Sequence, residues 1–389
     1  MTFSWRRFGL AAVSGVLLSY LVVVNGIASI AGTTNPLLVL KFAPYDATAN
    51  AALADRLQQF GDSDQDQADA ARYSRNAIER SLLIPVAVRI LGFEAEKKRD
   101  LASARALLLE STKLSRRDLG TSLWLINDAV QKGDTTTALQ YYDTAMRSSA
   151  VARTILFPIL TDAIADPEFI EPMIKLLVSR PNWSGEFVVF ALASGKATPN
   201  LASIVARSPG IIRENPPIAQ ALLDALIREN RFEEAWDLNA ALTSNTRRGA
   251  VADTRFVANN ALVPFGWRFS GHSDFGVVRS ERGLDLFALA ETGGVAASQL
   301  LLLRPGRYRL QSIGRIRTGG ASWTATCSGN VTQELAILPV SLNGVSVSSE
   351  FTVPAGCAAT WLRLVLRTDG APEGLSGHVR EVQVQRLTR

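Results

Sequence analysis

The chain has 389 residues, which is enough for two or three domains with separate hydrophobic cores. Hydrophobic residues make up 47% of it and charged residues 20%, as in globular proteins and unlike intrinsically disordered ones. The net charge of +5 is small for this length. It does not indicate nucleic-acid binding, which requires a clustered basic face.

An uncharged stretch near the N-terminus predicts a membrane anchor. Its most apolar part, residues 8–31, would be about 36 Å long as a helix, enough to cross a hydrocarbon core of ~30 Å. Arg6 and Arg7 precede it, so the positive-inside rule places residues 1–7 in the cytoplasm and the body in the periplasm. We therefore expect a single-pass protein of a bacterial inner membrane.

A cleaved signal peptide is the alternative interpretation of the same stretch. Ser29-Ile30-Ala31 before Gly32 supplies small residues at the spacing that signal peptidase requires. Both interpretations export the rest of the chain.

Two cysteines, Cys327 and Cys357, lie in the C-terminal region. A pair in an exported domain usually forms a disulfide. Closing a loop of about 30 residues would stabilise the fold by roughly 3–4 kcal/mol on the chain-entropy model. Two buried free thiols are the alternative. The two histidines, His272 and His378, lie far apart and lack ligand spacing, so we expect no metal site and no cofactor.

Helical periodicity runs from about residue 47 to residue 244, interrupted by short polar turns. Small and bulky residues recur in it every 34 residues. The recurring sets are Ala70, Ala104 and Ala138; Tyr73, Leu107 and Tyr141; and Ala77, Ser111 and Ala145. Small residues let two helices cross closely, and bulky ones fill the gap to the next hairpin. Residues 42–245 are therefore predicted to form a domain of stacked helical hairpins.

These repeats resemble the tetratricopeptide repeat family. One unit carries Leu91-Gly92, Ala104, Leu108 and Ser111 at the family's positions, a second carries Leu125, Ala138, Tyr142 and Ala145, and a later one spans residues 221–236. Prolines interrupt the stretch between the second and the later unit. The resemblance implies a scaffold that binds envelope proteins, although no peptide-binding residues can be carried over. A simple helical spacer is the alternative.

The pattern changes to short alternating runs over residues 256–389, rich in Gly, Ser, Thr and Val. Two strands are clearest. In the first, Tyr308, Leu310 and Ile316 share one face and Arg307, Arg309, Arg315 and Arg317 share the other. In the second, Leu362, Leu364 and Leu366 lie opposite Trp361, Arg363 and Arg367. This predicts an antiparallel β-sandwich, or jelly roll, with the arginine faces outward.

Residues 259–267, residues 304–310 and the closing strand around Val382 and Val384 resemble the galactose-binding-like sandwiches of carbohydrate-binding modules. The resemblance implies a domain that binds sugar or another protein. Guanidinium groups match carboxylates and an indole face suits a sugar ring, which leads to a hypothesis of anionic polysaccharide binding. The candidate surface comprises Arg307, Arg309, Arg315, Arg317, Trp361, Arg363 and Arg367. A solvated strand face is the alternative.

Motifs for catalysis are missing from the sequence, which has no phosphate loop, dinucleotide fingerprint, nucleophile elbow or zinc-protease motif. Glu233-Glu234 is explained as a solvated helix face, and each histidine as an exposed loop or strand residue. A glycosidase would need two carboxylates from distant segments, which the sequence leaves open. We expect a protein that is not an enzyme.

Together, the helical region and the sandwich region resemble membrane-anchored, tetratricopeptide-like proteins of alphaproteobacteria. Some of those proteins are associated with polysaccharide production. The predicted fold is multi-domain α + β: an anchor, a helical solenoid and a β-sandwich. The predicted function is a non-catalytic periplasmic scaffold in exopolysaccharide assembly or export. The alternative is capture of an anionic polysaccharide by the sandwich.

The predicted topology can be checked with a reporter enzyme that folds only outside the cytoplasm. Fused at the C-terminus, alkaline phosphatase is expected to be active, because either interpretation of residues 8–31 exports the body. The same fusion with β-galactosidase is the control and is expected to be inactive. The opposite pair of results would contradict export.

Overall fold

The computed structural model describes residues 26, 31–196, 198–212, 215–243, 246–257, 261–328, 333–368 and 370–387. Apart from residues 26 and 31, the predicted anchor at 8–31 lies outside this range. None of the described helices is both long and apolar enough to cross a bilayer.

The helices are α1 (Pro36–Phe42), α2 (Ala47–Phe60), α3 (Asp64–Arg80), α4 (Pro85–Lys97), α5 (Leu101–Leu114), α6 (Leu119–Gln131), α7 (Thr135–Ser148), α8 (Ala150–Ala163), α9 (Ile170–Leu177), α10 (Ser184–Ser194), α11 (Thr198–Arg207), α12 (Pro216–Arg228) and α13 (Phe232–Leu242), with 3-10 turns at Pro167–Phe169 and Pro209–Ile211.

Contacts group the described residues into two compact units. One contains the residues up to Ile159 together with Pro181–Trp183, and the other contains Leu160–Arg180 and the residues from Ser184 onward. Helices α9 to α13 therefore belong to the unit that holds the strands. The sequence predicts a boundary between residues 245 and 256, where helical periodicity ends. That domain boundary stays a prediction.

The 34-residue period corresponds to successive helical hairpins in the first unit. Helices α5 and α7 begin 34 positions apart, each after an aspartate that caps it. An Asp100 carboxylate oxygen accepts a hydrogen bond from the Ser103 backbone N–H at 3.0 Å, and Asp134 accepts from Thr137 at 3.0 Å. Each cap satisfies one free donor of the first helical turn. Membership of the tetratricopeptide family remains a prediction.

Small residues lie where the helices of a hairpin cross. Ala70, Ala104 and Ser111 are fully buried. A Cβ atom on Gly92 of α4 would lie 2.7 Å from Cγ of Leu108 on α5, closer than carbon atoms can approach. The small residues therefore permit this close packing, as the repeat pattern predicted.

One buried arginine connects three hairpins. Arg89 on α4 forms an ion pair with Asp118, the N-cap of α6, with Nη1 and Oδ2 separated by 2.9 Å. It forms a second ion pair with Asp55 on α2. The side chains of Arg89 and Asp118 are 13% and 6% exposed, so both charges are largely removed from water. Each depends on its partner to offset the cost of desolvation.

The strands form two antiparallel five-stranded sheets. Sheet I has the order β1-β4-β9-β6-β7 and sheet II the order β2-β3-β10-β5-β8. The bounds are β1 (Arg268–Phe269), β2 (Phe275–Ser280), β3 (Gly283–Ala288), β4 (Gly293–Leu301), β5 (Gly306–Thr318), β6 (Gly320–Ser328), β7 (Glu334–Pro339), β8 (Ser346–Val353), β9 (Ala359–Arg367) and β10 (Leu375–Arg386). The predicted antiparallel sandwich is confirmed.

An aromatic cluster fills the space between the sheets. Phe256, Trp267 and Trp323 are buried with their ring centroids 5.2–6.5 Å apart. The Trp323 indole N–H on β6 of sheet I donates to the Ser312 hydroxyl on β5 of sheet II at 3.0 Å. The apolar side chains predicted to point inward on β5 and β9 are all buried: Tyr308, Leu310, Ile316, Leu362, Leu364 and Leu366.

The segment that leads into β1 lies on the last two helices. The backbone N–H of Leu262 donates to the Asn239 side-chain oxygen at 3.0 Å. The ring of Phe265 meets that of Trp236 edge-on at 5.1 Å. These contacts make α13 part of the same unit as the sandwich. Residues 259 and 260 of the predicted opening segment lie outside the described residues.

The predicted disulfide is present. Cys327 at the end of β6 is bonded to Cys357 in the loop before β9, with the two Cα atoms 5.5 Å apart and a sequence separation of 30. The bridge therefore links β6 to the loop that leads into β9, and β6 and β9 are neighbouring strands of sheet I.

Replacing the buried arginine tests its role in the helical unit. We expect Arg89→Met to lower the free energy of unfolding by about 3 kcal/mol, because it leaves the buried Asp118 charge without its partner. Arg75→Met is the matched control. Arg75 is an exposed arginine that pairs with Glu94, and its removal should cost at most about 1 kcal/mol. Urea unfolding followed by far-UV circular dichroism gives both values, and equal losses would contradict the assignment.

Alkylation of the purified protein before and after reduction tests the disulfide. We expect no free thiol before reduction and two afterward, detected by mass spectrometry. The variant Cys327→Ser/Cys357→Ser should lose roughly 2–4 kcal/mol of stability, since the unfolded chain is no longer cross-linked. Two thiols alkylated in the native, unreduced protein would show that the bridge is absent.

Candidate functional site

The seven residues predicted to form one polysaccharide surface lie on two different sheets. β5 belongs to sheet II and carries the exposed residues Arg307, Arg309, Arg315 and Arg317. β9 belongs to sheet I and carries Trp361, Arg363 and Arg367. All seven point outward, as predicted. Because the outer faces of a sandwich point in opposite directions, Trp361 does not lie beside the β5 arginines.

On sheet I, a half-buried indole and a guanidinium lie together at the middle strand. The Arg363 guanidinium carbon lies 5.1 Å from the centroid of the Trp361 ring, within the range of a cation–π contact. Burial lowers the pKa of Arg363, which nevertheless stays charged at neutral pH. Within the described part of the chain, no carboxylate forms an ion pair with it.

Hydroxyl groups lie on both strands next to this pair, although the β4 neighbour of Trp361 itself is the buried Leu300. The register of β6 places Thr326 directly beside Trp361 and Thr324 beside Arg363, and the register of β4 places Ser298 on the other side of Arg363. Directly opposed side chains of an antiparallel pair share a face, with Cβ atoms about 4.5–5.5 Å apart. We call these five residues, Trp361, Arg363, Thr324, Thr326 and Ser298, the Trp361 face. It combines an aromatic plane with hydrogen-bonding groups on both flanks.

Arg367 closes the outward row of β9. It is exposed and lies opposite Gly293 on β4 and Gly320 on β6. Since glycine has no side chain, the guanidinium has open space on both neighbouring strands.

Two of the β5 arginines are paired with a carboxylate. Arg307 and Arg309 donate to the two carboxylate oxygens of Glu350 on β8 at 2.8 Å and 2.9 Å. Hydrogen bonds from Arg309 and Arg307 hold the pKa of Glu350 below its usual value. This half of β5 is therefore partly neutralised.

The other half of β5 has different neighbours. Arg315 lies directly beside His378 on β10, and His378 lies beside Asp285 on β3. Arg317 follows two positions along the same face of β5. Neither arginine forms an ion pair with any described residue. The sequence interpretation treated His378 as an ordinary exposed residue and missed its position between these strands.

The other titratable groups considered from the sequence have structural neighbours. The His272 ring lies 4.9 Å from the ring of Phe275. Glu233 forms an ion pair with Arg248, and Glu234 lies 3.4 Å from Arg231. Among the described residues, no group of three histidine, cysteine or acidic side chains could hold a metal ion.

The helical unit contains a groove of about 530 Å³ between α2 and the start of α4. Its lining includes the apolar side chains of Phe60, Leu83 and Ile84. Phe60 and Leu83 are 78% and 77% exposed.

No protein-family model matches the chain, and no curated protein matches it. Solved structures of three sugar-binding domains are similar to part of it. TmCBM61 in complex with β-1,4-galactotriose is 14% identical with a TM-score of 0.24, covering 31% of this chain and 88% of that chain. The CBM22-1 xylan-binding domain of Xyn10C from Paenibacillus barcinonensis is 14% identical with a TM-score of 0.26, covering 37% and 99%. The C-terminal CBM6 of LamC from Zobellia galactanivorans is 14% identical with a TM-score of 0.21, covering 29% and 90%.

Proposed function

We propose that the C-terminal sandwich binds a polysaccharide through the Trp361 face. The observation that carries this proposal is a partly exposed indole beside a guanidinium that has no ion-pair partner among the described residues, with hydroxyl groups on both neighbouring strands. Carbohydrate binding by the sandwich is therefore preferred to the scaffold function that the sequence predicts first.

The physical basis is the two-sided character of a sugar ring. A pyranose has C–H groups on its faces and hydroxyls around its edge, so an indole plane can cover one face while polar groups bind the edge. Arg363 donates several hydrogen bonds in a fixed plane, and Thr324 and Thr326 both donate and accept. The cation–π contact also restricts the Trp361 ring, which reduces the entropy lost on binding.

The site is proposed to bind its ligand without cleaving it. One carboxylate, Glu334 on β7, lies opposite Thr326 in the register. Glycoside hydrolysis generally uses two carboxylates on either side of the scissile bond. We therefore propose a binding module and not a glycosidase.

The cellular setting is also a proposal. The disulfide Cys327–Cys357 is consistent with an oxidising compartment outside the cytoplasm, where an envelope polysaccharide would be encountered. Binding of envelope proteins by the helical hairpins, and a role in exopolysaccharide assembly or export, remain predictions. The groove that includes Phe60 and Leu83 is the candidate place for such a partner.

Substitution of the indole tests the proposed site. With the full chain in detergent micelles, affinity electrophoresis against a panel of neutral and acidic polysaccharides should identify at least one ligand. Trp361→Ala is expected to weaken binding about tenfold, equivalent to about 1.4 kcal/mol, because the stacking plane is lost. Trp361→Phe should retain most of the affinity, since a smaller aromatic plane remains.

Val345→Ala is the control for this experiment. Val345 is 58% exposed in the loop before β8, next to the other sheet, and its truncation should leave binding unchanged. Circular dichroism checks that all variants fold. A folded Trp361→Ala protein with wild-type affinity, or a wild-type chain that retains none of the polymers, would refute the proposal.

A further inference from the structure

The outer face of sheet II carries four arginines and a histidine that form no ion pair with any residue that the structure describes. Arg315 and Arg317 lie on β5, His378 and Arg380 on β10, and Arg282 in the turn between β2 and β3. We call these five residues the arginine–histidine cluster. All four arginines are exposed.

Strand register brings the cluster together. His378 faces Arg315 on one neighbouring strand and Asp285 on the other, so three strands contribute to one row of side chains. Arg380 is the extra residue of a β-bulge, because the pairing with β5 shifts between Val379 and Glu381. A bulge changes the direction of the local side chains. Here it leaves Arg380 exposed two residues after His378.

The charges of the cluster act on the pKa of His378. Burial is the main cause that lowers the pKa of His378, and the charges of Arg282, Arg317 and Arg380 lower it further. Asp285 acts in the opposite direction. Several guanidinium groups are therefore within electrostatic reach of one imidazole, and a single carboxylate opposes them.

The other half of the same strand provides the contrast. Arg307 and Arg309 share the carboxylate of Glu350, whereas none of the four arginines of the cluster forms an ion pair with a described residue. Like charges held together repel one another unless a counter-ion is present. An anion at the cluster would relieve that repulsion.

We propose that the arginine–histidine cluster binds the acidic groups of an anionic polysaccharide, at a second site on the opposite face of the sandwich from Trp361. The proposal rests on the proposed function, because it takes the ligand to be a polysaccharide. The cluster extends from β5 across β10 to the turn before β3, which is about 10 Å at a strand spacing of about 4.8 Å. That width suits carboxylates repeated along a polymer, and planar guanidinium groups can bind each carboxylate through two hydrogen bonds.

The chain supplies a matched pair of variants to test this inference. Arg315→Gln/Arg317→Gln and Arg307→Gln/Arg309→Gln remove the same charge from the same face of the same strand. With the full chain in detergent micelles, the first should weaken binding to polygalacturonate at least about tenfold. The second should weaken it less than about threefold, since both of those arginines already donate to the Glu350 carboxylate. Equal effects of the two variants, or none from either, would overturn the proposal.

Binding of neutral polymers distinguishes a failure of the arginine–histidine cluster from a failure of the Trp361 face. Affinity for a neutral ligand of the Trp361 face should be unchanged in Arg315→Gln/Arg317→Gln. If Trp361→Ala abolishes binding of both neutral and acidic polymers while the arginine variant has no effect, the second site is refuted and the proposed function stands. If the arginine variant alone matters, the Trp361 face fails and the cluster stands. Duplex DNA can be added as a competitor at a phosphate concentration equal to the carboxylate concentration of the polygalacturonate. Competition by the DNA would also refute the proposal.

Nuclear magnetic resonance of the two histidines gives an independent readout. The chain has only His272 and His378, so both imidazoles can be followed after selective labelling. Polygalacturonate should raise the pKa of His378, because its carboxylates offset the charges of Arg282, Arg317 and Arg380. Affinity should then rise as the pH falls, since the bound state holds the proton more tightly. His272 is the internal control and should not change. An unchanged His378 at saturating polymer would contradict the site.

Discussion

The alternation of side chains along β5 and β9 determines where the charges of the sandwich lie. Leu362, Leu364 and Leu366 pack inward from the centre of sheet I, and Leu310 packs inward from sheet II. A register shift of one residue would move those leucines into water and the intervening arginines into the core, where unpaired charges are very costly. The aromatic cluster between the sheets therefore also fixes the orientation of the outward side chains. Both candidate binding faces depend on it.

The same constraint gives the two faces different chemistry. The sheet I strands present Trp361 with hydroxyls from β4 and β6, whereas sheet II presents arginines from β5 and β10. A hydrogen bond from Trp323 to Ser312 joins the two sheets at the interior. Because the core separates the faces, a ligand group on one face cannot contact the other. Each face must therefore recognise its ligand with its own residues.

Local patterns predicted the features that depend on neighbours along the chain. The 34-residue period predicted equivalent hairpins, and Asp100 and Asp134 indeed cap equivalent helices. Alternation predicted which residues of β5 and β9 point outward. It could not predict that the two strands belong to different sheets, because strand order is set by pairings between distant segments. For the same reason, neither the pairing of Arg307 and Arg309 with Glu350 nor the neighbours of His378 could be read from the sequence.

A sandwich with two separate faces suits a polymer better than a small sugar. A monosaccharide can occupy only one face, and a half-exposed indole or an exposed arginine cluster gives limited affinity on its own, because solvent screens the charges. A long chain, or a network of chains, presents many copies of the same groups. Once one face is bound, the local concentration of ligand at the other face rises sharply, which increases the overall affinity without new contacts. Weak, separate faces are then sufficient, and the carboxylate of Glu350 leaves less positive charge at Arg307 and Arg309 than on the other half of β5.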